Sequence, residues 1–181
     1  MLNCGAWTLS YLAIALLAAS PAGAKDAFTT TGDIGRFAIP AAGAALALFT
    51  DDREGLKQFF TSGAATLGVT YGLKYTVNET RPDGGAYSFP SGHTSSAFLG
   101  SAYIHHRYGW RWGIPAELAA AAVAYSRVKA NRHHWHDVLA SAGIAHLSAY
   151  LLVDRRDTNV VLMPMVSGPR RTWGIQAAMR F

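Results

Sequence analysis

The sequence is poor in cysteine, in charge and in long hydrophobic runs. Cys4 is the only cysteine among 181 residues, so no disulfide can form within the chain. Because Cys4 lies in an N-terminal segment that we expect to be removed, the mature protein would have neither disulfide nor thiol chemistry. Internal repeats and low-complexity segments are absent too, and a chain of this length is expected to fold as one domain with a sizeable core.

Hydrophobic runs long enough to span a bilayer are scarce. Phe37 to Phe49 is apolar for 13 residues, which as a helix reaches only ~20 Å against a hydrocarbon core of ~30 Å. The run from Ile114 to Tyr125 contains Glu117, and the run from Val138 to Val153 is interrupted by a histidine. We therefore favour a compact domain at a membrane surface, with integral insertion as the alternative.

Clustered basic residues are also lacking. The net charge is +5 and the isoelectric point is near 9.6, but the basic residues are scattered, without an arginine-rich run or an aromatic stacking motif. Such a balance favours an anionic substrate or an anionic lipid surface, and it argues against nucleic acid as a partner. The sequence does not indicate an oligomeric state.

The N-terminus resembles an export signal. Leu12 to Ala19 is a short apolar run, and Ala22-Gly23-Ala24 is a small-x-small cleavage pattern. Cleavage there would remove residues 1–24 and place the protein in the periplasm or at an envelope membrane. Residues 1–11 contain no Lys or Arg, so an uncleaved N-terminal anchor is the alternative.

Three short segments hold most of the reactive side chains of the chain. They are Lys74 with Arg81-Pro82, then Pro90-Ser91-Gly92-His93, then Ser126-Arg127 with His133 and Asp137. Together they contain three cations, two imidazoles, a carboxylate and a turn that precedes a helix-like run. That combination suits a dianionic phosphate, because phosphoryl transfer is catalysed mainly by fixed positive charge and by positioning.

Five of these residues are candidates for binding phosphate. Arg81 and Arg127 can each present a planar fork of donors to two oxygens, and Lys74 adds a compact point charge. Gly92 lets the backbone approach an anion closely at the start of a helix. Ser91 can cap that helix or donate its hydroxyl to the ligand.

The two histidines of these segments are candidates for nucleophilic and proton-transfer work. Asp137 follows His133 by four residues, which is one turn later on the same face of a helix. Asp137 can therefore accept a hydrogen bond from the ring of His133, fix its tautomer and support it as the nucleophile. His93 is then the general acid for the leaving oxygen, and it orients water in the second step.

Taken singly, these residues have ordinary structural explanations. The remaining histidines are interpreted as surface or packing residues: His105, His106, His134, His136 and His146. A metal site formed by the histidines beside His133 is not predicted, because no carboxylate or cysteine cluster in the sequence completes one. The sequence therefore predicts neither a metal nor a cofactor.

The three segments, in this order and with these internal spacings, resemble the phosphatidic acid phosphatase type 2 / vanadium-dependent haloperoxidase superfamily. The resemblance implies an all-helical core, a phosphohistidine intermediate and no metal. It implies phosphate binding by Lys74, Arg81, Ser91, Gly92 and Arg127. It further implies that His93 is the acid, that His133 attacks and that Asp137 supports it. The stretch between the first two segments, Asp83 to Phe89, is shorter than is usual in that family.

The hydrophobic pattern predicts an all-α bundle of about five helices, with residues 25–155 as the helical phosphatase domain. The helices are expected near residues 33–50, 54–77, 91–107, 115–128 and 133–152. A turn over Gly109 to Gly113 precedes the fourth, with Pro115 in its first turn. Alternating apolar residues over 156–181 predict a short tail resembling a β-hairpin.

These observations favour a metal-independent phosphatase that hydrolyses phosphomonoesters, with lipid phosphates as the preferred substrate class. One alternative is a periplasmic acid phosphatase of broad specificity. Another is a vanadate-dependent haloperoxidase in which His133 is the vanadate ligand. The small size of the chain argues against the haloperoxidase.

Overall fold

The computed structural model describes the backbone of residues 24–156, 160–167 and 172–179, and the side chains of residues 29–156. Within this part the chain forms the predicted bundle of five helices. Their bounds are Ala24–Phe49 (α1), Arg53–Val77 (α2), Gly92–Tyr108 (α3), Trp110–Lys129 (α4) and Trp135–Leu152 (α5). The predicted signal peptide lies outside the described residues except for Ala24, the first residue of α1.

Two short strands follow the helices. Val160–Ser167 (β1) and Thr172–Met179 (β2) pair antiparallel, with Val160 opposite Met179 and Ser167 opposite Thr172. The side chains of these strands lie outside the described residues.

The central element is α3, which packs against each of the other four helices. Small side chains allow this position, because Ala97 and Ala102 are fully buried. Gly100 marks the closest crossing: a Cβ added there would lie 2.5 Å from the backbone nitrogen of Pro40 in α1. No side chain fits in that space, so α1 lies directly on the backbone of α3.

Two predicted helix starts were wrong. The first helix begins at least as early as Ala24 rather than near residue 33, and the fourth begins at Trp110 rather than near Pro115. Gly109 alone reverses the chain, through a φ of 79° that favours glycine. Pro115 is the sixth residue of α4, where its missing N–H leaves only one helical carbonyl without its usual donor.

A buried ion pair lies at the C-terminal end of α3. Arg107 donates two hydrogen bonds to Asp52, from Nε at 2.8 Å and from Nη2 at 2.7 Å. A third donation reaches the carbonyl of Asp154 at 2.8 Å. Asp52 also caps α2 by accepting from the backbone N–H of Gly55 at 2.8 Å. These contacts tie α2, α3 and the segment after α5 together, and the bonds from Arg107 lower the pKa of Asp52 to about 2.

Large apolar side chains remain exposed on the outside of the bundle. Phe49, Tyr150 and Leu118 are 89%, 73% and 67% exposed. Among the described residues, the stretch Thr29–Phe49 of α1 is long and apolar enough to cross a membrane.

We expect Arg107→Ala to destabilise the fold by about 3–5 kcal/mol, because it leaves the buried carboxylate of Asp52 without its partner. Denaturant unfolding of the purified protein would measure the loss. The stabilisation should be complete above the ordinary pKa of 3.8 and should disappear as the pH falls through about 2, since Asp52 has a lowered pKa in the fold. Arg53→Ala is the matched control, because Arg53 pairs with Asp51 in full solvent exposure. Equal stability of Arg107→Ala and this control would contradict the prediction.

Candidate active site

A cavity of about 320 Å³ opens between α1, α2, the start of α3 and the loop before α5. Its lining contains three cationic side chains and both candidate imidazoles, without a carboxylate. The lining residues are Arg36, Phe37, Tyr71, Lys74, Arg81, Gly92, His93, Ser96 and His133. A confined space with this charge is suited to an anion.

Lys74 and Arg81 form the α2 side of the cavity. Lys74 is buried near the end of α2, and its Nζ donates to the carbonyl of Tyr87 at 2.7 Å. Burial lowers the pKa of Lys74, and the charge of Arg81 acts in the same direction. The Nε of Arg81 is buried without a hydrogen-bond partner among the described residues. A buried donor without a partner is costly, and an anion in the cavity would satisfy it.

The start of α3 forms a second wall. Ser91 is fully buried, and its Oγ accepts from the N–H of Thr94 at 3.4 Å, so it acts as the helix cap. Gly92 and His93 are the first two residues of α3 and line the cavity. This placement exposes the positive end of the helix to the cavity.

Asp33 of α1 joins His93 to Arg127. Its Oδ1 lies 2.9 Å from Nε2 of His93 and accepts from Nη1 of Arg127 at 2.8 Å. Arg127 is buried, and its other donors reach the carbonyl of Thr29 at 2.6 Å and Oγ of Ser126 at 3.0 Å. Arg127 therefore lies behind the cavity wall and contacts the site through Asp33.

Arg36, one turn after Asp33, brings a further cation into the cavity. Its Nη1 lies 3.3 Å from Nε2 of His93. Its Nε is buried without a hydrogen-bond partner in the described part of the chain. Arg36 and Arg81 thus each hold a donor that the described part of the chain leaves unsatisfied.

His133 and Asp137 meet as predicted, but in a different local structure. Nδ1 of His133 lies 3.3 Å from Oδ2 of Asp137, and both residues are buried. The helix α5 begins only at Trp135, with His134 as its N-cap. Asp137 is the third helical residue, and the same Oδ2 accepts from the backbone N–H of His134 at 2.9 Å. The pair is therefore built around the helix cap rather than along one helical turn.

Burial sets the protonation of both imidazoles. It lowers the pKa of His133 to about 4, with Lys74 acting in the same direction and Asp137 against it. Burial also lowers the pKa of His93 below 6.5, assisted by Arg127 and Arg36 and opposed by Asp33. At neutral pH the ring of His133 is neutral, which leaves Nε2 with a free lone pair when Nδ1–H faces Asp137.

The predicted site residues therefore divide into two groups. Five of them line the cavity: Lys74, Arg81, Gly92, His93 and His133. The other three, Ser91, Arg127 and Asp137, lie behind the wall and hold the first group. Sequence reasoning missed Asp33, Arg36, Tyr71 and Ser96. Two features of the sequence point to some of these residues. Asp33 and Arg36 are charged residues inside an otherwise apolar stretch, and Ser96 follows His93 by three residues on α3.

An apolar groove of about 460 Å³ adjoins the cavity and shares Arg36, Phe37 and Ser96 with it. The groove lies between α1, α2 and α3. Its other lining residues are Pro40, Phe59, Phe60, Gly63, Ala64, Leu67 and Leu99. A molecule with a phosphate and a hydrocarbon chain could occupy both spaces together.

A second cluster of ligand-type side chains lies beside Asp137. Glu79, His134, His136 and Asp137 each place one N or O atom within 4.8 Å of the others. The expectation that no carboxylate completes a set with these histidines was wrong. Glu79 is distant in sequence, and the loop after α2 carries it to the start of α5.

Comparisons with known proteins agree with this architecture. A model of the PAP2 superfamily matches residues 83–160. The lipid A 4'-phosphatase of Helicobacter pylori is 31% identical over 149 residues, which are 75% of this chain and 75% of that protein. A lipid A 1-phosphatase of Porphyromonas gingivalis is 37% identical over 84 residues, 44% of this chain and 19% of that protein.

Solved structures share the fold. The crystal structure of Aquifex aeolicus LpxE aligns with a TM-score of 0.63 and 21% identity, over 79% of this chain and 93% of that chain. A transmembrane PAP2 type phosphatidylglycerolphosphate phosphatase from Bacillus subtilis aligns with a TM-score of 0.58 and 22% identity, over 83% and 85% of the two chains.

We expect Arg36→Met to weaken the binding of inorganic phosphate by about 10-fold or more, because a hydrogen bond to a charged group contributes about 1.5–3 kcal/mol. Isothermal titration calorimetry on the purified protein would measure the change. Arg53→Met is the matched control, since Arg53 is 92% exposed and far from the cavity lining. Unchanged phosphate affinity in Arg36→Met would show that this guanidinium does not contact the anion.

Proposed function

This chain belongs to the PAP2 superfamily and is a phosphomonoester hydrolase, and we propose that it removes phosphate from a lipid through a phosphohistidine at His133. The observation that carries the proposal is the cationic cavity, which holds both imidazoles and adjoins an apolar groove. A soluble phosphate ester would need only the cavity, whereas a lipid phosphate would fill both.

In the first step, Nε2 of His133 attacks phosphorus. Asp137 holds Nδ1–H of the same ring, so the attacking lone pair faces the cavity and the charge that develops on the imidazole is balanced. The P–O bond to the lipid breaks, and His93 gives its proton to the leaving oxygen. Arg36, Lys74 and Arg81 stabilise the peripheral phosphoryl oxygens during the transfer.

In the second step, water replaces the imidazole on phosphorus. His93, now neutral, takes a proton from the attacking water, and the P–N bond breaks. Inorganic phosphate leaves, His133 returns to its neutral form and His93 returns to its protonated form. Each atom and proton is accounted for by this chain, the lipid and one water, so we propose that catalysis needs no metal or cofactor.

Two further features support the assignment to lipids and to a membrane. Large exposed apolar side chains cover the bundle, and α1 is long enough to cross a bilayer. Relatives are named lipid A phosphatases, and a structural neighbour is named a phosphatidylglycerolphosphate phosphatase. We propose a membrane-associated enzyme of the cell envelope that acts on lipids of this kind.

A phosphate-release panel tests the proposal. It compares lipid A, phosphatidylglycerol phosphate and phosphatidate in detergent with soluble monoesters such as glycerol phosphate. We expect lipid phosphates to react faster, and His133→Ala to lose activity about a thousand-fold or more because the nucleophile is gone. EDTA should cause no loss of activity.

Each part of this experiment has a result that would contradict the proposal. Equal rates on soluble esters would favour an acid phosphatase of broad specificity, and full activity in His133→Ala would end the assignment of the nucleophile. Loss of activity with EDTA would overturn the metal-free mechanism. His106→Ala is the matched control, since His106 lies outside the cavity lining.

The pH profile of kcat/KM should have its maximum on the acid side of neutrality. His133 must be neutral to attack, so activity falls as the pH drops through its pKa of about 4. His93 must be protonated to act as the acid, so activity falls as the pH rises through a pKa below 6.5. Asp33→Asn removes a charge that raises the pKa of His93, and we expect the alkaline limb to move to lower pH. Asp51→Asn is the control, and an alkaline limb that stays in place in Asp33→Asn would contradict the role of Asp33.

A further inference from the structure

The cluster of Glu79, His134, His136 and Asp137 lies outside the phosphate cavity, on the far side of Asp137. Three of its residues come from the first turn of α5 and its N-cap, and Glu79 comes from the loop after α2. Their burial is graded: Asp137 is fully buried, while the side chains of Glu79, His134 and His136 are 30%, 37% and 57% exposed. The cluster therefore combines two carboxylates and two imidazoles, and it is buried at Asp137 and partly exposed to solvent at the other three residues.

Three of the distances within the cluster are close to those between the ligands of one metal ion. Nε2 of His136 lies 2.8 Å from Oε1 of Glu79 and 3.1 Å from Oδ1 of Asp137. Nδ1 of His134 lies 3.5 Å from Oε1 of Glu79. Ligands about 2.0–2.1 Å from a tetrahedral zinc ion stand roughly 3.3 Å from one another, which falls inside this spread.

Hydrogen bonding among these residues leaves one buried carboxylate oxygen unsatisfied. The contact between Glu79 and His136 is a hydrogen bond and needs no metal. However, Oδ1 of Asp137 is fully buried and receives no hydrogen bond among the described residues, because its 3.1 Å contact with Nε2 of His136 lacks hydrogen-bond geometry. A buried carboxylate oxygen without a donor is expensive, and a cation is the simplest group that satisfies it.

We propose that Glu79, His134, His136 and Asp137 form a binding site for a divalent transition metal of the zinc type. Two imidazoles and two carboxylates are the ligand set that such ions accept, and four donors complete a tetrahedral shell. The partly exposed histidines provide an entry path. This site is separate from catalysis in the sense that none of the proposed chemical steps uses the ion.

The ion would nevertheless act on the reaction, because Asp137 belongs to both sites. Its Oδ2 faces Nδ1 of His133, and its Oδ1 faces the cluster. A cation on Oδ1 withdraws negative charge from the carboxylate, so the imidazolium character of the attacking His133 is stabilised less well. Bound zinc is therefore an inhibitor of the phosphatase, and this effect rests on the proposed function, whereas binding of the ion does not.

Binding is tested first, without any phosphatase assay. Calorimetric titration of the purified full-length chain with zinc chloride should show one saturable site per chain. We expect Glu79→Gln and His136→Gln each to raise the Kd for zinc by about 10-fold or more, because each removes one ligand. Glu54→Gln and His106→Gln are the matched controls, since both lie outside the cluster. Absence of a saturable site, or equal affinity in all five proteins, would overturn the proposal.

Inhibition is tested second, with each protein compared with its own zinc-free rate. The wild type should slow by about 10-fold at saturating zinc and recover when EDTA is added, while Glu79→Gln and His136→Gln need at least 10-fold more zinc for the same effect. Equal zinc sensitivity in these variants would place the inhibitory ion on the imidazoles of the cavity and overturn the coupling through Asp137. A chain that binds zinc normally but releases no phosphate from any ester would contradict the proposed function alone.

Discussion

The carboxylate of Asp137 joins the loop before α3 to the residues at the start of α5. It accepts hydrogen bonds from the hydroxyl of Ser88 before α3 and from the backbone of His134, and it faces the ring of His133. Although burial acts to raise it, these donors lower the pKa of Asp137, so the group stays ionised in a fully buried position. The position of the proposed nucleophile depends on this one charge, because no other acceptor in the described residues faces Nδ1 of His133.

The arginines of the described residues are of two kinds, paired and incompletely paired. Arg107 and Arg127 are each matched by an aspartate, whereas Arg36 and Arg81 keep a buried Nε without a partner in the described part of the chain. The paired arginines stabilise the bundle, and the incompletely paired ones line the cavity. The unsatisfied guanidinium donors therefore lie where the proposed phosphate group would bind.

The sequence predicted those parts of the site that follow from local spacing. The three motif segments specified the start of α3 and the neighbourhood of α5, because each is short and its residues act over one or two turns. The contribution of α1 was not predicted, since Asp33 meets Arg127 across 94 positions and no spacing rule reaches so far. The cluster with Glu79 was missed for the same reason, as 57 positions separate Glu79 from His136. The predicted start of α4 was wrong because the prediction relied on the preference of proline for the first turn of a helix. The helix instead begins directly after a glycine with positive φ.

The division of the site between helices has a consequence for how it can change. The proposed nucleophile and its carboxylate are held by α5 and the loop before it, whereas the surroundings of the proposed acid are supplied by α1. Substitutions on α1 can therefore alter how readily a proton reaches the leaving group while the attacking group stays as it is. Enzymes built this way can adapt to alcohols of different basicity by varying a single helix.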